Sequence, residues 1–175
     1  MKTVKIKFLA IALLTLISSA QMYSQIAKAE IMATGLTCSM CSNAINKQLK
    51  AMVEVDSVST DLNTNTFNVY FKKNTKVQPM VLKNAVEKAG FFVGSMVLTM
   101  SFDNLKVGDN VVFKKDDASF LFIDTKAQVL SAETKVKVLD KGFVTQKEYK
   151  KLVKSYGKYP SYVMEKENNY HIRTL

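Results

Sequence analysis

The 175-residue chain has no tryptophan, one histidine, two cysteines, two prolines and six glycines. Each scarcity excludes something. A lone His171 excludes a multi-histidine metal centre. With only Cys38 and Cys41, the chain cannot be a disulfide-dense secreted scaffold or hold a four-thiolate zinc site. So little proline and glycine excludes collagen-like and proline-rich material. Acidic residues are also in deficit: 15 Asp and Glu stand against 25 Lys and Arg, a formal charge of +10. What remains is ordinary for a folded chain, with 47% apolar and 23% charged residues.

The N-terminus reads as an address. Lys2, Lys5 and Lys7 precede an apolar run from Phe8 to Ile17. That run is too short to span a bilayer comfortably, and Ser18-Ser19-Ala20 then offers small residues for cleavage. Residues 1–20 are therefore expected to be a signal peptide cut before Gln21; an uncleaved membrane anchor is the alternative. Export places the mature chain in the periplasm or outside the cell, with no membrane attachment after cleavage. The mature chain keeps 22 basic and 15 acidic residues. Its lysines occur singly or in short pairs and are spread over both halves. That pattern fits a solvated surface, and no nucleic-acid partner is expected.

Residues 26–98 alternate between strand and helix periodicity. Ala29, Ile31 and Ala33 alternate with polar neighbours, as a short strand requires. Ala44, Ile45, Leu49 and Met52 fall at helical spacing after Cys41. Val58, Thr60 and Leu62 alternate again, Asn63-Thr64-Asn65 is a turn signal, and Phe67, Val69 and Phe71 complete a hairpin. Pro79 suits the first turn of a helix. Val81, Leu82, Ala85, Val86 and Ala89 supply its stripe, and Gly90 ends it. Phe91 to Leu98 reads as a final strand. The order β-α-β-β-α-β is a ferredoxin-like arrangement within an α+β class.

Residues 100–175 predict a smaller β-rich unit with one helix, either an OB-like barrel or an open sheet. Val111 and Phe113, Phe120 to Ile123, and Val136 with Val138 mark three strands. Thr145-Gln146-Lys147-Glu148 is a capping box. The helical stripe Tyr149, Leu152, Val153 and Tyr156 follows it. Tyr162 and Met164, then Tyr170 and Ile172, suggest a closing hairpin across Asn168-Asn169. The boundary falls near Met100, and no Gly-, Pro- or Ser-rich linker marks it.

Chemistry is concentrated in Gly35-Leu36-Thr37-Cys38-Ser39-Met40-Cys41, between the first strand and the first helix. Where a loop leads into a helix start, two thiols separated by two residues can converge on one ion. The helix N-terminus favours thiolate over thiol. Two soft thiolates without a third protein ligand suit Cu(I), whereas Zn(II) normally takes four ligands. By itself such a pair in an exported protein serves disulfide or redox chemistry as readily as metal binding. A disulfide across the pair is easily reduced, so the two states can interconvert.

The context adds a resemblance. Gly35, Thr37, Cys38 and Cys41 form a Gly-x-Thr-Cys-x-x-Cys motif. Asp61-Leu62-Asn63-Thr64-Asn65 follows at the hairpin, and Val86-Glu87-Lys88-Ala89-Gly90-Phe91 leads into the last strand. On these residues the segment 28–98 resembles the heavy-metal-associated domain. That module occurs in copper chaperones, in copper-ATPase N-terminal repeats and in the periplasmic mercury-binding protein. The resemblance implies that Cys38 and Cys41 bind a soft metal, with Cu(I) foremost and Hg(II) or Zn(II) as alternatives. It also implies transient docking to a metal-transport protein or a copper-transporting ATPase. The family's usual Met between Gly and Thr is Leu36 here, which serves the same role of an apolar plug. Phe91 resembles the family's loop residue that packs near the metal.

The function expected is sequestration or delivery of a metal by a protein that is not an enzyme. A thiol–disulfide oxidoreductase is the runner-up. Against it, there is no Trp before Cys38, nor a proline where a thioredoxin-type site would place one. An inert structural disulfide is a third reading. Met40 is expected to face solvent, with a thioether contribution to the metal as the alternative. His171, in an expected edge strand, reads as structural or exposed rather than a ligand. The scattered methionines read as core filler. Asp109, Asp116 and Asp117 lack EF-hand spacing.

Overall fold

A computed structural model of the chain describes residues 26–37, 39–164 and 166–175. The expected signal peptide and Cys38 lie outside the described residues.

The first half folds in the predicted element order, although Ala44, Leu62 and Val81 of the expected apolar stripes are exposed. Strand β1 (Ile26–Thr34) is followed by helix α1 (Ser39–Lys50), strands β2 (Val55–Asp61) and β3 (Thr66–Phe71), helix α2 (Pro79–Lys88) and strand β4 (Phe92–Val107). In β1, Ala29, Ile31 and Ala33 are buried while Lys28 and Glu30 point to the other face, the period-2 pattern of a half-buried strand. β1 lies between β3 and β4 and pairs antiparallel with both, and β2 pairs with β3. The quartet order β2-β3-β1-β4, with α1 and α2 packed together on it, is the ferredoxin-like arrangement. Ile45 and Leu49 of α1, and Leu82 and Val86 of α2, are fully buried against the sheet. Asp61 shapes the β2–β3 turn, accepting from the Asn63 amide and the Thr64 hydroxyl, both at 2.9 Å.

Of the two forms expected for the second half, an OB-like barrel or an open sheet, the structure shows the open sheet. This half contributes β5 (Val112–Lys115), β6 (Ala118–Phe122), β7 (Gln128–Val138), α3 (Gln146–Tyr156), the single-turn α4 (Pro160–Val163) and β8 (Asn169–Thr174). These strands extend the first sheet into one open eight-stranded sheet, β2-β3-β1-β4-β7-β8-β6-β5. The cause is β4, which runs to Val107 and pairs with β7 from Met96 to Val107. Met100, where the sequence suggests a boundary, is fully buried in the middle of this strand. Met96, Leu98, Met100 and Phe102 are buried at alternate positions, so the strand period passes through the boundary unbroken.

The expected hairpin of Tyr162–Met164 with Tyr170–Ile172 is also corrected. Pro160 opens a helical turn instead, and β8 pairs antiparallel with β7 and parallel with β6. β8 is therefore interior, not an edge strand, which buries Tyr170, His171 and Ile172. Half of the predicted capping box forms at α3: the Glu148 amide donates to Thr145 Oγ1 at 3.2 Å. The Glu148 carboxylate reaches across to Lys137 Nζ at 2.6 Å. Asp116-Asp117 is the two-residue connection of the β5–β6 hairpin, with Asp116 in the left-handed region. No helix among the described residues is long and apolar enough to cross a membrane.

Candidate metal centre

β1 delivers the chain to Gly35, whose φ of +88° turns it sharply away from the sheet. A side chain at that φ is strained, which accounts for glycine at the start of the motif. Leu36 is half-buried and packs on the core, as the plug role requires, and Thr37 is exposed. α1 then begins at Ser39. Cys41 is its third residue, half-buried, and Ser42 behind it is buried. Met40 is 80% exposed, as expected.

Two features of α1 bear on the thiol. Its first turn carries no acidic residue, while Lys47 and Lys50 occupy its last turn. The partial positive charge at the helix start is thus not offset by a side chain of that turn and favours an anion there. The axis is held by Ile45 and Leu49 in the core and by Asn46 Nδ2, which donates to Thr60 Oγ1 of β2 at 2.9 Å. The loop entering β4 adjoins the motif. Phe91 Cδ1 lies 3.9 Å from where Gly35 would carry a Cβ, and Thr34 Oγ1 donates to the Phe92 carbonyl at 3.3 Å. Phe91 packs on the core and faces the motif loop at once. Among the described residues, no three His, Cys, Asp or Glu side chains group together.

The remaining histidine is far from solvent but well satisfied. His171 is 4% exposed. Its Nδ1 lies 2.7 Å from Asp140 Oδ1, its Nε2 lies 3.0 Å from Ser161 Oγ, and its backbone N–H donates to Asp140 Oδ2 at 2.7 Å. His171 is thus buried rather than exposed, in an arrangement that sequence spacing could not reveal. Asp140, Ser161 and His171 come from three separate segments of the second half.

Residues 30–92 match the family model of the heavy-metal-associated domain. That segment is a heavy-metal-associated domain, and the chain carries it within a longer sheet. Among solved structures, the chain is similar to the yeast copper transporter domain CCC2A, determined in apo and Cu(I)-loaded states. The identity is 32%, covering 37% of this chain and 88% of that one, with a TM-score of 0.34. It is also similar to the N-terminal domain of a potential copper-translocating P-type ATPase from Bacillus subtilis, at 30% identity, 38% and 82% coverage and a TM-score of 0.34. The CopZ metallochaperone matches at 24% identity, 38% and 98% coverage and a TM-score of 0.35. No curated protein sequence matches the chain.

Proposed function

We propose that this chain is an exported metal-handling protein that binds one Cu(I) between the thiolates of Cys38 and Cys41 and passes it to a transport protein. The observation that carries the reading is the heavy-metal-associated domain at residues 30–92, which encloses the CxxC pair. The placement of Cys41 in the opening turn of α1, directly after the Gly35 turn, supports it. Two thiolates match the softness and low coordination number of Cu(I). The half-buried setting of Cys41 limits solvent access while leaving a thiolate partner room to approach. A copper-transporting ATPase with the same type of thiolate pair is the natural acceptor, because ligand exchange then proceeds between like sites. Residues 1–20 direct export, and the reaction at the pair is binding and transfer, not catalysis.

The test is a competition titration. The reduced mature protein is loaded anaerobically with Cu(I), Zn(II) or Hg(II) against a chelator of known affinity. One equivalent of Cu(I) held more tightly than Zn(II) supports the reading. Preference for Hg(II) with negligible Cu(I) affinity redirects it to a mercury scavenger. No tight metal binding by the reduced protein overturns it in favour of thiol–disulfide chemistry.

A further inference from the structure

Asp140, His171 and Ser161 are joined in series. Asp140 is fixed by two donors on different oxygens: the ring Nδ1 and the backbone N–H of His171, each at 2.7 Å. A carboxylate only accepts, so Nδ1 carries the proton. In the neutral ring, Nε2 is then an acceptor, and the only donor facing it in this network is the Ser161 hydroxyl, at 3.0 Å. Tyr162 packs edge-on against the imidazole with ring centroids 5.1 Å apart. That contact and the burial of β8 hold the ring in one orientation. The three roles of a serine nucleophile, its base and the group that orients the base are thus filled at hydrogen-bond distance.

Access differs along the series in the sense catalysis requires. His171 is buried, but Ser161 is exposed, and both line an open groove of about 310 Å³. Val112, Leu121, Met164 and Tyr170 give the groove apolar walls. Asn110, Asn169 and Lys166 also line the groove and carry side-chain N–H donors, the kind of group that stabilises negative charge on a carbonyl oxygen. None of the described groove residues is acidic.

We propose that Asp140, His171 and Ser161 form a nucleophilic serine site that hydrolyses small carboxylic esters with an apolar acyl group. Ser161 Oγ attacks the carbonyl carbon as its proton passes to His171 Nε2. The tetrahedral intermediate collapses, the bond to the leaving alcohol breaks, and the alcohol takes the proton from Nε2. Water then attacks the acyl-Ser161, giving its proton to Nε2. Collapse releases the carboxylic acid and returns that proton to Ser161 Oγ. Asp140 holds the ring tautomer and balances the imidazolium in both halves. This activity is independent of the metal reading, because neither Cys38 nor Cys41 takes part.

The experiment uses the full mature chain in a Cys38→Ser/Cys41→Ser background, so that thiols cannot accept the acyl group. A fluorophosphonate probe is applied and the modified peptide identified by mass spectrometry; turnover of p-nitrophenyl butyrate is measured in parallel. The expected result is one phosphonate per chain, on Ser161. Ser161→Ala should lower turnover at least about a hundredfold, and Asp140→Asn should also lower it strongly while leaving Ser161 in place. Ser161 is exposed, so its alanine variant is expected to keep the circular dichroism of the parent. A folded parent that takes no label on Ser161, or a Ser161→Ala variant with undiminished turnover, overturns the proposal. In either case His171 serves only to tie α4 and β8 together.

Discussion

The Glu30 carboxylate on β1 accepts from Lys135 Nζ on β7 at 2.7 Å, across the intervening strand β4. The pair joins the metal-binding half to the second half on the sheet face opposite to buried Ala29 and Ile31. Lys28 adds a second contact to the same oxygen at 2.9 Å. Both halves thus share an electrostatic tie as well as a strand.

The hydrogen bond from Lys135 is the main cause that holds the Glu30 carboxyl below its ordinary value of 4.5, ahead of the opposing effect of burial. A depressed carboxylate stabilises the fold above its unfolded value, and that contribution is lost as pH falls through the lower folded value. Glu30→Gln should therefore cost at most about 1 kcal/mol near neutral pH, as exposed pairs do. The acid limb of its stability curve below about pH 4.5 should be flatter than that of the parent. Chemical denaturation at a series of pH values checks this; an unchanged acid limb counts against the pair.

The larger of two apolar clusters runs through both halves, beside a smaller one around Tyr156, Tyr159 and Tyr162 in the second half. Ile31 and Leu82 belong to the same cluster as Phe122 and Ile172, and the Met80 amide at the start of α2 donates to the Tyr170 hydroxyl of β8 at 3.3 Å. The full chain should consequently unfold in a single cooperative transition. Coincident urea curves from far-ultraviolet circular dichroism and tyrosine fluorescence are expected. Two well-separated transitions would show that the halves are energetically independent despite the shared sheet.

Replacing either Cys38 or Cys41 by Ser should lower Cu(I) affinity by at least about a thousandfold, or ~4 kcal/mol, without altering the unfolding midpoint of the metal-free protein. Competition with a chromogenic chelator reads the first quantity and thermal denaturation the second. Tight binding retained in the double variant would move the site to methionine or imidazole ligands.

Tyr162 is buried, and its hydroxyl donates to the Leu139 carbonyl at 2.6 Å. Burial, followed by the nearby Asp140 charge, pushes its phenol well above the ordinary 10.0. A raised folded value means that stability is complete below about pH 10 and declines above it, where the unfolded chain ionises and the folded one does not. Tyr162→Phe leaves the buried carbonyl unpaired and should cost about 1–2 kcal/mol at neutral pH. It should also soften the alkaline decline. Tyr156 and Tyr170 are raised as well, mainly by burial, so some alkaline sensitivity persists in the variant.

Gly94 lies in β4 opposite the end of β1. A Cβ there would approach Thr34 Cγ2 to 2.5 Å and Met32 Cε to 2.8 Å. Gly94→Ala should destabilise the fold by about 1–3 kcal/mol. The displaced Thr34 precedes Gly35, so the motif loop should shift with it. Heteronuclear chemical shifts of residues 34–37 and the denaturation midpoint report the two effects; a midpoint equal to the parent's would mean that Met32 and Thr34 rotate away without cost.

The sequence by itself determined the ferredoxin-like order, because that order rests on local signals. Alternation in β1 and β3, the turn residues after Asp61, Pro79 at a helix start and Gly90 just past its end are each read within a few residues. The Gly35–Cys41 motif was legible for the same reason: it spans seven residues and one strand–helix junction. Tertiary structure alone decided where the second half sits. Alternation at Met96, Leu98, Met100 and Phe102 marks a long strand, but pairing between β4 and β7 is set by contacts more than twenty residues apart, which no local pattern encodes. Tyr162 and Tyr170 show the same limit. Both are apolar-patterned, yet Pro160 commits the first to a helical turn, and β8 finds its partners in β6 and β7. The association of Asp140, Ser161 and His171 follows from that placement, because burying β8 between two strands is what brings His171 against residues from two other segments.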